Sequence, residues 1–82
     1  MLSEDLDKKK LVIGAKQTYK ALMEDKIYQL YVAGDADQFV LRGVIEAAHL
    51  KNIDINYVDS MKKLGKDCGI DVGATTVGVL KS

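Results

Sequence analysis

Ile27-Tyr28-Gln29-Leu30-Tyr31-Val32-Ala33 is the run of residues on which the fold turns. Its density of Ile, Tyr, Leu and Val predicts a strand near the middle of a sheet, and Gly34-Asp35 ends it. Downstream, Asp37 is placed to cap a long helix in which Val40, Leu41, Val44, Ile45 and Ala48 recur at helical spacing, ending near Lys51-Asn52. Upstream, Leu11-Val12-Ile13 is a short apolar strand delivered to Gly14, and a helix runs from Ala15 to about Asp25. Ser3 caps a further amphipathic helix over Leu2 to Lys10, with Glu4 and Asp5 in its first turn and lysines in its last. After the long helix, residues 53–58 alternate apolar and polar as a strand with one wetter face does. Ser60 then caps a short helix through about Cys68, stopped by Gly69. Residues 70–73 are a loop, and Thr75 to Leu80 is the final strand. Strands alternating with helices predict an α/β fold, a three-layer α-β-α sandwich around a central mixed sheet of about four strands.

Composition narrows the function. A chain of 82 residues is expected to form one domain, residues 1–82, with a single modest core. Hydrophobic content of 48% with 29% charged residues is that of a globular protein. The one cysteine, Cys68, cannot form an internal disulfide, and no apolar run suits a signal peptide or a membrane span. A reducing cytoplasm and no membrane partner are the expectations. His49 has no cysteine or acid at ligand spacing, Cys68 has no histidine beside it in sequence, and the spacing of Gly65, Gly69 and Gly73 fits neither a P-loop nor a dinucleotide fingerprint. No enzyme chemistry, metal or cofactor is therefore expected.

The formal net charge is zero, which by itself argues against nucleic acid. Its distribution argues the other way. Residues 8–20 carry Lys8, Lys9, Lys10, Lys16 and Lys20, and residues 60–66 carry Lys62, Lys63 and Lys66, with no acid in either window. Between them, seven acids (Glu24, Asp25, Asp35, Asp37, Glu46, Asp54 and Asp59) face only Lys26, Arg42 and Lys51. If the two basic windows meet in space, they make a local patch on a neutral protein. The first contains Gly14-Ala15-Lys16-Gln17-Thr18-Tyr19-Lys20, a turn into a helix whose first turn has no acid. Outward-pointing N–H groups and the positive end of the macrodipole attract a phosphate or a base acceptor edge there. Helical spacing puts Lys16, Gln17 and Lys20 on one side and Ala15, Thr18, Tyr19, Leu22 and Met23 on the other.

Three motifs together resemble a known family: residues 14–20, then Ala33-Gly34-Asp35-Ala36-Asp37, then Leu64-Gly65-Lys66-Asp67-Cys68-Gly69-Ile70-Asp71-Val72-Gly73. Their order and spacing are similar to those of the kink-turn RNA-binding ribosomal-protein superfamily, nearest its small bacterial members. The resemblance spans essentially the whole chain. It implies a bound RNA in which a short bulge adjoins tandem sheared G·A pairs, on a monomer that is associated with the ribosome or with a regulatory RNA. Lys16, Gln17 and Lys20 stand where archaeal and eukaryotic members carry an Asn-Glu pair and a Lys three residues on. Gln17 both donates and accepts at a base edge, and Lys16 donates to guanine O6 or N7. The resemblance further implies that Ile70, Asp71 and Val72 lie against extruded bulge nucleotides, while Lys62, Lys63 and Lys66 hold phosphates. Acidic relatives on the same fold bind proteins instead, and a protein-interaction module is the alternative function.

Overall fold

The run from Ile27 forms an interior strand of the sheet in a computed structural model that describes residues 10–70 and 72–81. Along the chain the elements are β1 (Leu11–Ile13), α1 (Ala15–Met23), β2 (Ile27–Ala33), α2 (Gln38–Leu50), β3 (Asp54–Val58), α3 (Met61–Asp67) and β4 (Thr76–Leu80). Their order across the sheet is β1-β4-β2-β3. Strand β2 pairs in parallel with β3, to which α2 connects it, and antiparallel with β4. Strand β4 is also antiparallel to β1, so the sheet is mixed, as expected. The helix expected over Leu2–Lys10 lies outside the described residues, apart from Lys10, whose carbonyl accepts from the Leu80 N–H at 3.0 Å.

Helices α1 and α2 pack on each other over one face of the sheet, and α3 lies on β2 and β3 from the other. Gly78 shows which side chains face α1. A Cβ at this position would meet Ile27 Cδ1 at 2.7 Å and Thr18 Cγ2 at 3.0 Å, so glycine lets the helix approach. Leu30 and Val12 are the register partners of Gly78 and share its face. Tyr31, Val77 and Val58, one step along their strands, point the opposite way, toward the layer in which α3 buries Leu64 completely. Because β2 and β4 are covered on both faces, Leu30, Val32, Ala33, Thr76 and Val77 are all essentially inaccessible to water.

Each helix ends in the same way. The N–H two residues past the cap reaches back five residues, from Lys26 to Ala21 O, from Ile53 to Ala48 O and from Ile70 to Gly65 O, at 3.0, 2.8 and 3.0 Å. The intervening residue is left-handed in every case: Asp25 at φ 59°, Asn52 at φ 57° and Gly69 at φ 79°. With no proline in the chain, these turns do the stopping. They also correct two expected boundaries. α1 stops at Met23 because Asp25 has left the helical region, and β3 begins at Asp54 because the Ile53 N–H is used to close α2. Since glycine takes the left-handed region without the Cβ penalty, Asn52→Gly is expected to stabilise the fold by about 0.5–1 kcal/mol. Thermal melting followed by circular dichroism checks this, and a rise of roughly 2–8 °C is expected.

Candidate nucleic-acid interface

One end of the sheet gathers the carboxyl ends of β1, β2 and β3 and the start of β4. Backbone hydrogen bonds weld it together: Gly14 N–H to Thr76 O at 2.8 Å, Ala33 N–H to Thr75 O at 2.9 Å and Gly34 N–H to Val58 O at 2.7 Å. All three described helices start from this rim, so their positive ends converge on it. Two of them are closed by side chains. Asp37 Oδ1 accepts from Phe39 N–H at 2.8 Å, and Ser60 Oγ accepts from Lys63 N–H at 3.1 Å, as their sequence positions suggested. Asp35 Oδ1 adds a bond from Met61 N–H at 2.8 Å, a tie between the β2–α2 connection and α3 that bridges 26 residues and carries no local sequence signal.

Helix α1 is different in that no side chain caps it; its first turn, like those of α2 and α3, has no acid. Gly14 sits at φ 107°, ψ 143°, where an L side chain is strained, and open space lies where its Cβ would be. Lys16, Gln17 and Lys20 are all exposed, as expected, while Thr18, Ala21 and Leu22 are buried. Thr18 Oγ1 donates to Val12 O at 3.2 Å and fixes the helix against β1. Two neighbours depart from expectation. Tyr19 and Met23, assigned to the inner stripe, are 45% and 46% exposed, because the sheet and α2 cover only a narrow band of this helix. Both line a shallow apolar groove with Lys16, Gln17 and Lys20.

The second basic window lies on α3, and a loop follows that helix. That loop doubles back along the helix, held by Ile70 N–H to Gly65 O and Ala74 N–H to Met61 O, both at 3.0 Å, and it delivers Thr75 and Thr76 to the rim beside Gly14. The return is close. A Cβ on Gly65 would overlap the Val72 carbonyl, and one on Gly73 would meet Met61 Cβ at 3.2 Å. Val72 is 71% exposed, whereas Ile70 is half-buried and packed against the core, so only Val72 offers the apolar surface expected of both. Asp71, like Lys8 and Lys9, lies outside the described residues. Lys62 and Lys66 are exposed neighbours one turn apart. Lys63 pairs with Asp67 at 3.8 Å, just beyond the acid-free window.

The ion pairs sort the cations. Lys26, Arg42 and Lys51, the three basic residues of the acidic middle, pair with Glu24, Glu46 and Asp25 at 3.1, 3.6 and 3.0 Å. Lys16, Lys20, Lys62 and Lys66 have no acidic partner among the described residues. Their charge is available to an outside anion. Cys68 is half-buried against the core and His49 is exposed late in α2. Among the described residues, no group of three or more His, Cys, Asp or Glu could hold a metal ion, and no helix is long and apolar enough to cross a membrane.

The chain is similar to known proteins in both sequence and fold. Residues 1–82 match the family described as ribosomal protein L7Ae/L30e/S12e/Gadd45. The chain is 55% identical over 71 residues to the RNA-binding protein BH0128 of Halalkalibacterium halodurans, covering 87% of each chain. It is 52% identical over 67 residues to the RNA-binding protein TTE2299 of Caldanaerobacter subterraneus subsp. tengcongensis, covering 82% of each. Its fold is also that of the Giardia lamblia 15.5kD RNA binding protein, with a TM-score of 0.88 at 20% identity over 99% of this chain and 68% of that one.

Gly65 offers a direct test of the loop's seat on α3. Alanine is the better helix former by roughly 1 kcal/mol, yet its Cβ would strike the Val72 backbone. Gly65→Ala is expected to destabilise the protein by about 1–3 kcal/mol, as overpacking does. Urea unfolding measures this, and a variant as stable as wild type would mean that the loop does not pack there.

Proposed function

Because the chain belongs to the ribosomal protein L7Ae/L30e/S12e/Gadd45 family, we propose that it is an RNA-binding protein whose target is a kink-turn. The relatives named as RNA-binding proteins support the general function. The finer target rests on one observation, the uncapped and acid-free start of α1, where Lys16, Gln17 and Lys20 stand exposed beside the rim that also receives the loop carrying Val72.

The chemistry of the target follows from that surface. A-form RNA hides its base edges in a deep, narrow groove, so a helix start reaches them only where the duplex bends or opens. A kink beside sheared G·A pairs supplies the opening. Gln17 then donates and accepts at a base edge, Lys16 donates to guanine, and Gly14 leaves clearance for the backbone. Lys20, Lys62 and Lys66, which have no acidic partner among the described residues, carry charge to the phosphates on either side, with Lys63 the weaker contributor because Asp67 already engages it. Val72 covers a bulge nucleotide, while Ile70 supports the loop from beneath. In this reading the protein acts as a cytoplasmic monomer that binds and does not catalyse, and the kink-turn belongs to a ribosomal or a regulatory RNA. The unpaired lysines favour it over a protein-binding role on the same fold.

Two measurements check the proposal. Replacing both sheared G·A pairs by Watson–Crick pairs is expected to weaken binding by at least about 2 kcal/mol, given 1 to 3 for each good base contact. Equal affinity for the two RNAs would sink the kink-turn reading. Lys20→Ala, a change at an exposed site, is expected to lower RNA affinity with its melting temperature within about 2 °C of wild type. Loss of fold without a separate binding defect would make Lys20 a structural residue only.

A further inference from the structure

Helices α1 and α2 leave between them, on the flank of the rim, an open groove of about 420 Å³ lined by Ala15, Lys16, Tyr19, Val40, Gly43 and Val44. Its walls are apolar and in contact with water: Tyr19 is 45% exposed and Val40 is 42%. Phe39, beside Val40 in the first turn of α2, is 84% exposed, more than any other large hydrophobic residue of the described chain. Phe39 and Gly43 are i,i+4 neighbours, so Phe39 precedes the glycine by one turn on the same side of α2, toward the rim and just outside the groove lining. Gly43 has no packing reason to be glycine. A Cβ there would meet nothing within 4 Å, and glycine is a poor helix former in mid-helix. What its missing side chain does is keep the floor of the groove open.

The charges around the groove select the occupant. No lining residue is acidic, Lys16 stands at its edge, and Lys20 follows one turn along α1. Neither lysine has an acidic partner among the described residues. A second copy of this chain seated across a two-fold axis would add its own Lys16 and Lys20 to the same interface, gathering like charge there. A nucleotide suits both halves of the surface, with a flat apolar base for Tyr19, Val40 and Phe39 and a phosphate for Lys16.

We propose that the α1–α2 groove, with Phe39 at its mouth, holds one unpaired nucleotide of the bound RNA, outside the G·A contact made by Gln17. The inference rests on the kink-turn reading and extends its footprint from the rim onto the flank of the two helices. Phe39 serves as a stacking surface, and Gly43 is the residue whose size sets whether the base fits.

The test combines two protein variants with a series of RNAs. Phe39→Ala removes the stacking surface without touching the core, and Gly43→Leu fills the groove without adding charge. Each is titrated with an intact kink-turn RNA and with RNAs in which single bulge or flanking nucleotides are replaced in turn by abasic ones, with circular dichroism and melting as folding controls. Phe39→Ala is expected to bind the intact RNA about tenfold or more weakly, the loss typical of one stacked base. One abasic position should weaken wild type by a similar factor and leave Phe39→Ala no worse than before, the signature of a shared contact. Gly43→Leu should lose affinity while its melting temperature holds or rises, a combination that general destabilisation cannot produce. Wild-type affinity in both variants would overturn the groove proposal and leave the kink-turn reading standing. Equal losses for Phe39→Ala on every RNA would overturn it too, as would full RNA affinity accompanied by loss of a self-associated species, which would give the groove to a second copy. Failure of wild type to bind the kink-turn at all would overturn both readings.

Discussion

Strand β4 is inserted between β1 and β2, and the carbonyls at its start hold the ends of both neighbours. Thr76 O takes the Gly14 N–H and Thr75 O takes the Ala33 N–H. These bonds join the last strand to segments more than 40 residues earlier, and everything at the rim is referred to them. They set the start of α1 beside the end of the loop that returns from α3. Thr76 is buried and Thr75 half-buried, so these backbone hydrogen bonds are largely shielded from competing water.

Closeness of backbone is what this arrangement trades on. Gly78 admits α1 onto the sheet, Gly65 admits the returning loop onto α3, and Gly14 turns the chain from β1 into α1 through a conformation closed to other residues. The three glycines act on different contacts with one effect: helices and loop reach the rim at short range and with defined orientation. Such placement is what base contacts require, since they discriminate only when donors and acceptors are held at hydrogen-bonding distance.

Electrostatics here is local. A net charge of zero hides a division of labour in which Lys26, Arg42 and Lys51 pair with acidic neighbours, while Lys16, Lys20, Lys62 and Lys66 have no acidic partner among the described residues. Exposed pairs of this kind add little to stability. Their consequence is for the field around the molecule. Screening at physiological salt has a range of about 8 Å, so a phosphate beside α1 or α3 responds to the nearest charges and not to the net charge of the chain.

Much was visible in the sequence because it is carried by short-range interactions. A strand as apolar as residues 27–33 must be covered on both faces, Asp37 and Ser60 cap donors two and three residues away, and Gly69 ends its helix by its own φ. The exposed row of Lys16, Gln17 and Lys20 follows from helical periodicity alone. Other features depend on which elements meet. Tyr19 and Met23 share the apolar character of an inner stripe, but the sheet and α2 are too narrow to cover them. Ile70 and Val72 are equivalent as sequence, yet the chain reversal enforced by Gly69 turns the first against the core and the second to solvent. Asp35 reaches Met61 across 26 residues, a contact with no periodicity to betray it. Periodicity and capping are properties of a few consecutive residues, whereas coverage of a face and the meeting of two loops are decided only when β4 pairs between β1 and β2.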